Sequence, residues 1–396
     1  VYSAIGEFRP PFSGYFLTFA IGSYQAFFLA FVGLAVAAGL VRAFTRPSAR
    51  GMDDGQRFDI GMLAFAAALA WLSLLARRNV GIFAIGAVPF VAACAGILIA
   101  RLPKSVTSTS GWPVRAGAAL VLVGSLVICG MVASNRWYAM TGETHEFGLG
   151  TMKANFQSRA VEFFREQKLP GPTFNDMTAG GYLTWDDPTG KGVYVDGRLE
   201  VYDTPFFSAY MASLQNIQAW KKDADARGIQ SVMVFHRWGN RHGFIKALTQ
   251  LPDWRLVYYD ETVVIFVRVT EHAEVVAAAR EAFAKTWRLK TEQVLNGAWS
   301  AYPWQWGIDR YTALIAYSRI LETLGEAPAS LPWLEKAIAE GLPHDMNVET
   351  RQRAAFVLAS TGKYDEARVH LARAAEIDPS NEMTRTILSK INAVDP

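Results

Sequence analysis

Four long apolar runs fill most of the first third of this chain, and they constrain its fold more than any other feature. They span residues 15–41, 60–76, 80–100 and 116–133. A helix needs about 20 apolar residues to cross a bilayer, and about 17 are tolerated. Four transmembrane helices are therefore expected. Only 19% of residues are charged, against 51% hydrophobic, and most of the charge falls after these runs. That split implies a membrane part followed by a soluble part. The net charge of +3 and the lack of a basic run give no reason to expect a nucleic-acid partner. Cys94 and Cys129 lie inside apolar runs, which suits small hydrophobes better than a disulfide. The chain opens at Val1 in mid-motif, and we expect it to be the C-terminal part of a longer protein.

Loop charges set the expected orientation. The loop after the first run carries Arg42, Arg46, Arg50 and Arg57, and the loop after the third carries Arg101, Lys104 and Arg115. With four spans these seven cations share one side, and Arg9, Arg77, Arg78 and Arg136 share the other. The positive-inside rule places the richer side in the cytoplasm. The Arg77-Arg78-Asn79 turn then faces outward, together with everything after Ser134. Two readings of the arginine pair stand at this point. One is snorkelling to headgroups. The other is an anion site, since the planar guanidinium fork grips phosphate oxygens bidentately. The "GEFRPPF" loop shares that outer face, and Pro10-Pro11 stiffen it. Glu7 and Arg9 on that loop are either a local ion pair or a place to position a substrate or a divalent metal ion.

Beyond residue 150 the pattern alternates helix and strand, which predicts a small three-layer α/β domain over 151–269. "GPTFND", "KGVYVDGR" and "IQSVMVFH" read as strands, and "WRLVYYDETVVIFVRV" as a hairpin turning at Asp260-Glu261. "PFFSAYMASLQNIQAWKKDADARG" reads as one helix. Asn175, Asp176, Asp196, Arg198 and His236 fall at strand ends. Ligands bind at the carboxyl ends of strands in open α/β sheets, so these five form a candidate site. Each is also a residue type used in turns. His236 and His242 do not match a metal-ligand spacing, and no zinc site is read there.

The stretch 271–396 reads as helical. Gly362, Tyr364, Ala367, Leu371, Ala374 and Pro379 fall at the intervals of a tetratricopeptide repeat. Gly325 and Ala337 repeat the pattern 37 residues earlier, against a usual period of about 34. The expected fold is thus a polytopic α-helical region of four spans (1–134), a small α/β soluble domain (151–269) and a C-terminal α-helical tetratricopeptide-like module (271–396).

Taken together, these parts resemble the C-terminal half of a bacterial C-type glycosyltransferase, a polytopic enzyme that takes a sugar from a polyprenyl-phosphate carrier on the outer face of the membrane. The resemblance rests on the "EFRPP" loop, the "ARRN" turn and the "FNDMTAGGYLTW…VYVDGRLEVYD" region, and covers roughly Gly6 to Arg268. The Asp176–Leu183 stretch is also similar to the acceptor-binding Trp-Trp-Asp-Tyr-Gly motif of oligosaccharyltransferases, without its tryptophan pair. The resemblance implies a multi-pass protein of the bacterial inner membrane with its soluble part outside the cytoplasm. Its partners would be the lipid bilayer and a polyprenyl-phosphate-linked sugar. Glu7, Arg9, Arg77, Arg78 and Asn79 would bind the carrier, and Asn175, Asp176, Asp196 and Arg198 would complete the substrate site. The catalytic carboxylate of that superfamily follows the first span, outside this chain, so no catalytic residue is assigned and the fragment alone would be inactive. The competing expectation is a non-enzymatic membrane-anchored scaffold whose repeat module binds a protein partner.

Overall fold

The computed structural model describes residues 19–44, 60–76, 79–99, 112–141, 147–149, 157–186, 192–237, 241–297, 308–342 and 344–394. The chain divides into two compact units, Val1–Thr144 and His145–Pro396.

The first unit is helical, and it corrects the expectation of four spans. Its helices are α1 (Phe19–Phe44), α2 (Ile60–Leu75), α3 (Val80–Gly86), α4 (Val88–Ile99), α5 (Trp112–Ala133) and α6 (Arg136–Thr141). Among the described residues one helix is long and apolar enough to cross a membrane, Arg115–Ala133 within α5. The second run makes a helix of 16 residues. At 1.5 Å per residue that is about 24 Å, short of a hydrocarbon core of about 30 Å. The third run is broken: α3 and α4 meet at a 43° bend. Pro89 sits in the first turn of α4, and it has no N–H to carry the α3 ladder onward. In the first run, the apolar helical portion Gln25–Leu40 is likewise short.

These shorter helices bury one face against one another, while Leu29, Phe65, Ile82 and Ile85 stay exposed. Phe83 of α3 meets Phe27, Phe28 and Phe31 of α1 at ring distances of 5.8, 5.8 and 5.1 Å. Phe31 continues to Phe90 at 5.5 Å, with Ala38, Ala66 and Cys94 filling the remaining core. Apolar sequence has here gone partly into a packed helical core, which a hydropathy run cannot distinguish from a span.

The second unit is built on a four-stranded mixed sheet of order β1-β2-β4-β3. Its strands are β1 (Thr173–Asn175), β2 (Ser231–Phe235), β3 (Trp254–Tyr259) and β4 (Val263–Arg268). β1 lies parallel to β2, and β4 runs antiparallel to both β2 and β3. β2 is buried along its whole length, as its unbroken apolar run requires when both faces are covered. The β3–β4 hairpin turns at Asp260, whose Oδ1 accepts from Thr262 N, Thr262 Oγ1 and Val263 N at 2.7–2.9 Å. A bulge between Leu256 and Tyr258 reverses the faces along β3. Trp254 accordingly packs on Trp220 (5.1 Å), and Tyr258 packs with Phe163 (4.8 Å) and Phe283 (5.3 Å).

Two local expectations differ. "KGVYVDGR" contributes one isolated bridge, Val193 to Thr173, because the three-residue β1 offers little edge to pair with. The long helix is two helices, α9 (Thr204–Ser213) and α10 (Ile217–Ala226), separated where Asn216 Oδ1 caps α10 by accepting from Gln218 N and Ala219 N. Upstream of these, α7 spans Ser158–Glu166 and α8 spans Met177–Asp186, and α11 (His242–Thr249) follows β2.

After β4 the chain is helical. α12 (Ala273–Ala282) passes through a π-helical turn, Phe283–Trp287, into α13 (Arg288–Asn296). Antiparallel hairpins follow: α14 (Ile308–Thr323) with α15 (Ala327–Ala339), α16 (His344–Ser360) with α17 (Tyr364–Ile377), then α18 (Glu382–Val394). Gly325 and Gly362 hold φ of +86° and +81° at the two hairpin turns, a conformation glycine adopts without steric cost. The hairpins belong to the same unit as the sheet. Arg237 Nη2 donates to Thr312 Oγ1 (2.6 Å), and Tyr259 meets Tyr317 at 5.8 Å.

Candidate functional site

The carboxyl ends of β1 and β2 gather buried polar side chains, and their hydrogen bonds decide what they can do. Asn175 is fully buried. Its Nδ2 donates to Val195 O (2.5 Å) and Asp176 O (2.8 Å), and its Oδ1 accepts from Tyr194 N (2.8 Å). Asn175 thus ties the 193–196 segment to the sheet. Asp176 Oδ1 accepts from Ala179 N (2.9 Å), capping α8, and Oδ2 accepts from Phe235 N (2.6 Å), closing the end of β2. Burial pushes the Asp176 carboxyl up to about 6, against the pull of those N–H groups and of the Arg241 charge.

Asp196 is buried as well, with Oδ1 accepting from Arg198 N and Oδ2 from Arg198 Nε, both at 2.9 Å. Burial opposes its ionisation, but the Arg198 guanidinium and backbone N–H outweigh that and hold the carboxyl below its usual range. Arg198 reaches solvent, its side chain 60% exposed. His236 is fully buried, and its Nε2 pairs with Asp260 O at 2.8 Å. Its ring lies 5.7 Å from that of His242, whose Nδ1 is 2.6 Å from Thr323 Oγ1. Burial and neighbouring positive charge take both imidazoles down to about 4, so both are neutral at pH 7.

The structure therefore brings Asn175 to the 194–196 segment and Asp176 to the end of β2, and it pairs the buried Asp196 with the exposed Arg198 two residues on. The Asp176 carboxylate is committed to holding α8 and β2 together. Asn79 does similar work in the first unit: its Nδ2 donates to Leu72 O (2.9 Å) and its N to Ala76 O (3.1 Å), closing the turn into α3. Glu7, Arg9, Arg77 and Arg78 lie outside the described residues. Among the described residues no three His, Cys, Asp or Glu side chains come together as a metal site.

Two features escape the strand-end argument. Arg159 at the start of α7 reaches the buried hairpin turn and pairs with Glu261, with Asp260 at 3.7 Å. Apolar periodicity marks the turn but not the cation that covers it. The second is a groove of about 320 Å³ on the helical hairpins, where Phe356 and Ile387 stand among Glu322, Glu349, Gln352 and Arg353. The repeat spacing is the sequence signal that points to that surface.

A pH test separates fold from function at Asp176. The folded pKa of about 6 is raised above the ordinary value near 3.9. Its stabilising contribution is therefore complete below about pH 4 and lost as pH rises through 6. The shift corresponds to about 3 kcal/mol, at about 1.4 kcal/mol per unit. The two histidines act oppositely, since their lowered pKa removes stability as pH falls from about 6.5 toward 4. We expect the Tm difference between wild type and Asp176→Asn to shift against wild type from pH 4 to 7. A pH-independent difference would remove the buried-carboxylate account.

No family model, curated protein or solved structure matches this chain.

Proposed function

We propose that this chain is a membrane-anchored docking protein whose C-terminal helical hairpins bind a peptide segment of a protein partner. The observation that carries the reading is Phe356. It is 67% exposed in the hairpin groove, while its neighbours Ala354, Ala355, Val357 and Leu358 are buried. An exposed aromatic in a concave surface is the kind of anchor that supplies most of an interface's energy. Around it, Arg353 pairs with Glu322 at 2.8 Å, and Gln352 Nε2 donates to Asn381 Oδ1 at 2.9 Å, so the rim is pre-organised. The repeat resemblance of these hairpins agrees with such use.

The anchor is Arg115–Ala133. Leu120, Val121, Leu122 and Leu126 on it are 61–75% exposed, a surface that water does not favour and lipid does. Arg101, Lys104 and Arg115 precede the apolar stretch and Arg136 follows it. We read the second unit as lying outside the cytoplasm, and the positive-inside rule supports that reading.

Selection of a displayed peptide library on the full chain tests the reading. Enriched peptides should share an apolar anchor. Phe356→Ser should weaken their binding at least tenfold, the effect of losing a contact worth about 1.4 kcal/mol or more, with an unchanged Tm. Peptides with no common anchor, or binding indifferent to Phe356→Ser, would overturn it.

A further inference from the structure

A second cleft, of about 640 Å³, opens between the edge strand β3 and the α12–α13 helix. Its volume lies in the range of small-molecule sites, far larger than one inorganic ion needs. Three guanidinium groups line it, Arg255 from β3 and Arg280 and Arg288 from the helix. Glu326 is the one carboxylate among the lining residues, and Arg288 also donates from Nε to Glu292 Oε1 at 3.2 Å, so the three guanidinium groups meet two carboxylates. Glu326 is itself held, with Arg288 Nη2 at 3.7 Å and the Tyr259 hydroxyl donating at 3.4 Å. Arg255 is steadied by donating from Nη1 to Pro252 O (2.8 Å) and Trp254 O (2.9 Å), and its side chain stays exposed. The exposed Arg280 side chain has no hydrogen-bond or ion-pair partner among the described residues.

The helix geometry sets Arg280 and Arg288 on one face, two turns apart. Residues eight apart on an unbroken α-helix stand about 80° apart around the axis. The π turn Phe283–Trp287 adds one residue between Arg280 and Arg288. They then behave as seven apart, about 20° from alignment. The same turn buries Phe283 and Trp287 against the sheet, so the arginine face is held rigidly. A rigid pair of planar forks suits the oxygens of a tetrahedral dianion.

We propose that this cleft binds a phosphate ester, with Arg280 and Arg288 gripping the phosphate, Arg255 completing its neutralisation, and the organic group resting on Leu256 and Phe283. A phosphate monoester carries about −1.5 to −2 at neutral pH, and the exposed Arg255 and Arg280, neither of them in an ion pair among the described residues, offer it two guanidinium groups. Strand addition to β3 is disfavoured, because the bulge at Leu256–Tyr258 and the exposed Arg255 blunt that edge. The ester is either free in solution or the headgroup of a phospholipid, and the test distinguishes these.

Calorimetric titration of the full chain in detergent with phenyl phosphate should give saturable one-site binding. Arg280→Ala should weaken it ten- to a hundredfold, the range of a lost charge-assisted hydrogen bond. Arg280→Lys should recover part, because it keeps the charge and loses the fork. Arg373→Ala, at an exposed arginine on α17 outside the cleft, should change nothing. If the site serves a lipid, phenyl phosphate will bind more weakly to chain reconstituted with phosphatidic acid than with phosphatidylcholine alone. Equal binding in both assigns a soluble ligand. Absence of saturable binding, or equal affinity in wild type and Arg280→Ala with matched Tm, overturns the proposal.

Discussion

Replacing Gly180 with alanine should lower the thermal midpoint of the second unit by about 6–12 °C, while the same change at the adjacent Gly181 should raise it. A Cβ at Gly180 would lie 1.8 Å from Val195 O and 2.5 Å from Asn175 Nδ2. Neither neighbour can yield cheaply. Val195 O is backbone, and Asn175 is fixed by three hydrogen bonds. α8 would have to lift from the 193–196 segment, breaking the Asn175–Val195 contact and exposing Asp196 to a changed environment. Overpacking of this kind costs about 3 kcal/mol, and for a unit of this size each kcal/mol moves Tm by about 2–4 °C. At Gly181 an added Cβ meets nothing within 4 Å. There alanine simply improves the helix, by about 0.5–1 kcal/mol. Tryptophan fluorescence reports the transition, since Trp220 and Trp254 are buried in that core. Equal effects at the two glycines would show that α8 does not pack on the 193–196 segment.

That glycine pair shows what sequence can and cannot reveal. "AGGYL" invites a turn or a ligand-facing loop, and only the packing of α8 separates a required glycine from a dispensable one. β2 and the β3–β4 hairpin were legible, because each is a short apolar run bounded by turn residues. "KGVYVDGR" has the same appearance, yet strand formation depends on a partner edge, and β1 supplies a single bridge. Asn175 and Asp176 were legible as strand-end residues. Their use was not, since an amide or carboxylate that caps a helix has the same identity as one that binds a ligand. The four apolar runs failed for a related reason. Hydropathy sums composition, whereas crossing a bilayer needs unbroken length, and Pro89 and the 16-residue α2 limit that. The π turn left no trace in the pattern, although it sets two arginines on one face.

The second large effect is expected at Arg159, whose replacement by methionine should cost about 3–5 kcal/mol at neutral pH. Methionine keeps much of the apolar stem, so the loss isolates the charge. Asp260 would survive the change, because Tyr258 Oη, Thr262 N and Oγ1, and Val263 N all donate to it. Glu261 would not, since its side chain is fully buried and Arg159 is the cation paired with it. Burial already pushes the Glu261 carboxyl above its usual range, opposed by Arg159. Without that cation the folded state must carry a buried, uncompensated charge or take up a proton, which is why breaking one half of a buried pair is so costly. The sign follows from linkage. A carboxyl with a raised folded pKa loses its contribution as pH rises through that value. The deficit of Arg159→Met should therefore be largest near pH 7 and shrink toward pH 4. Adding Glu261→Gln should restore most of the lost stability at pH 7, because a neutral amide no longer needs a counter-charge. Denaturant unfolding of the four variants at both pH values gives the coupling directly. A deficit that neither shrinks in acid nor responds to Glu261→Gln would mean that Arg159 acts through its packed stem alone.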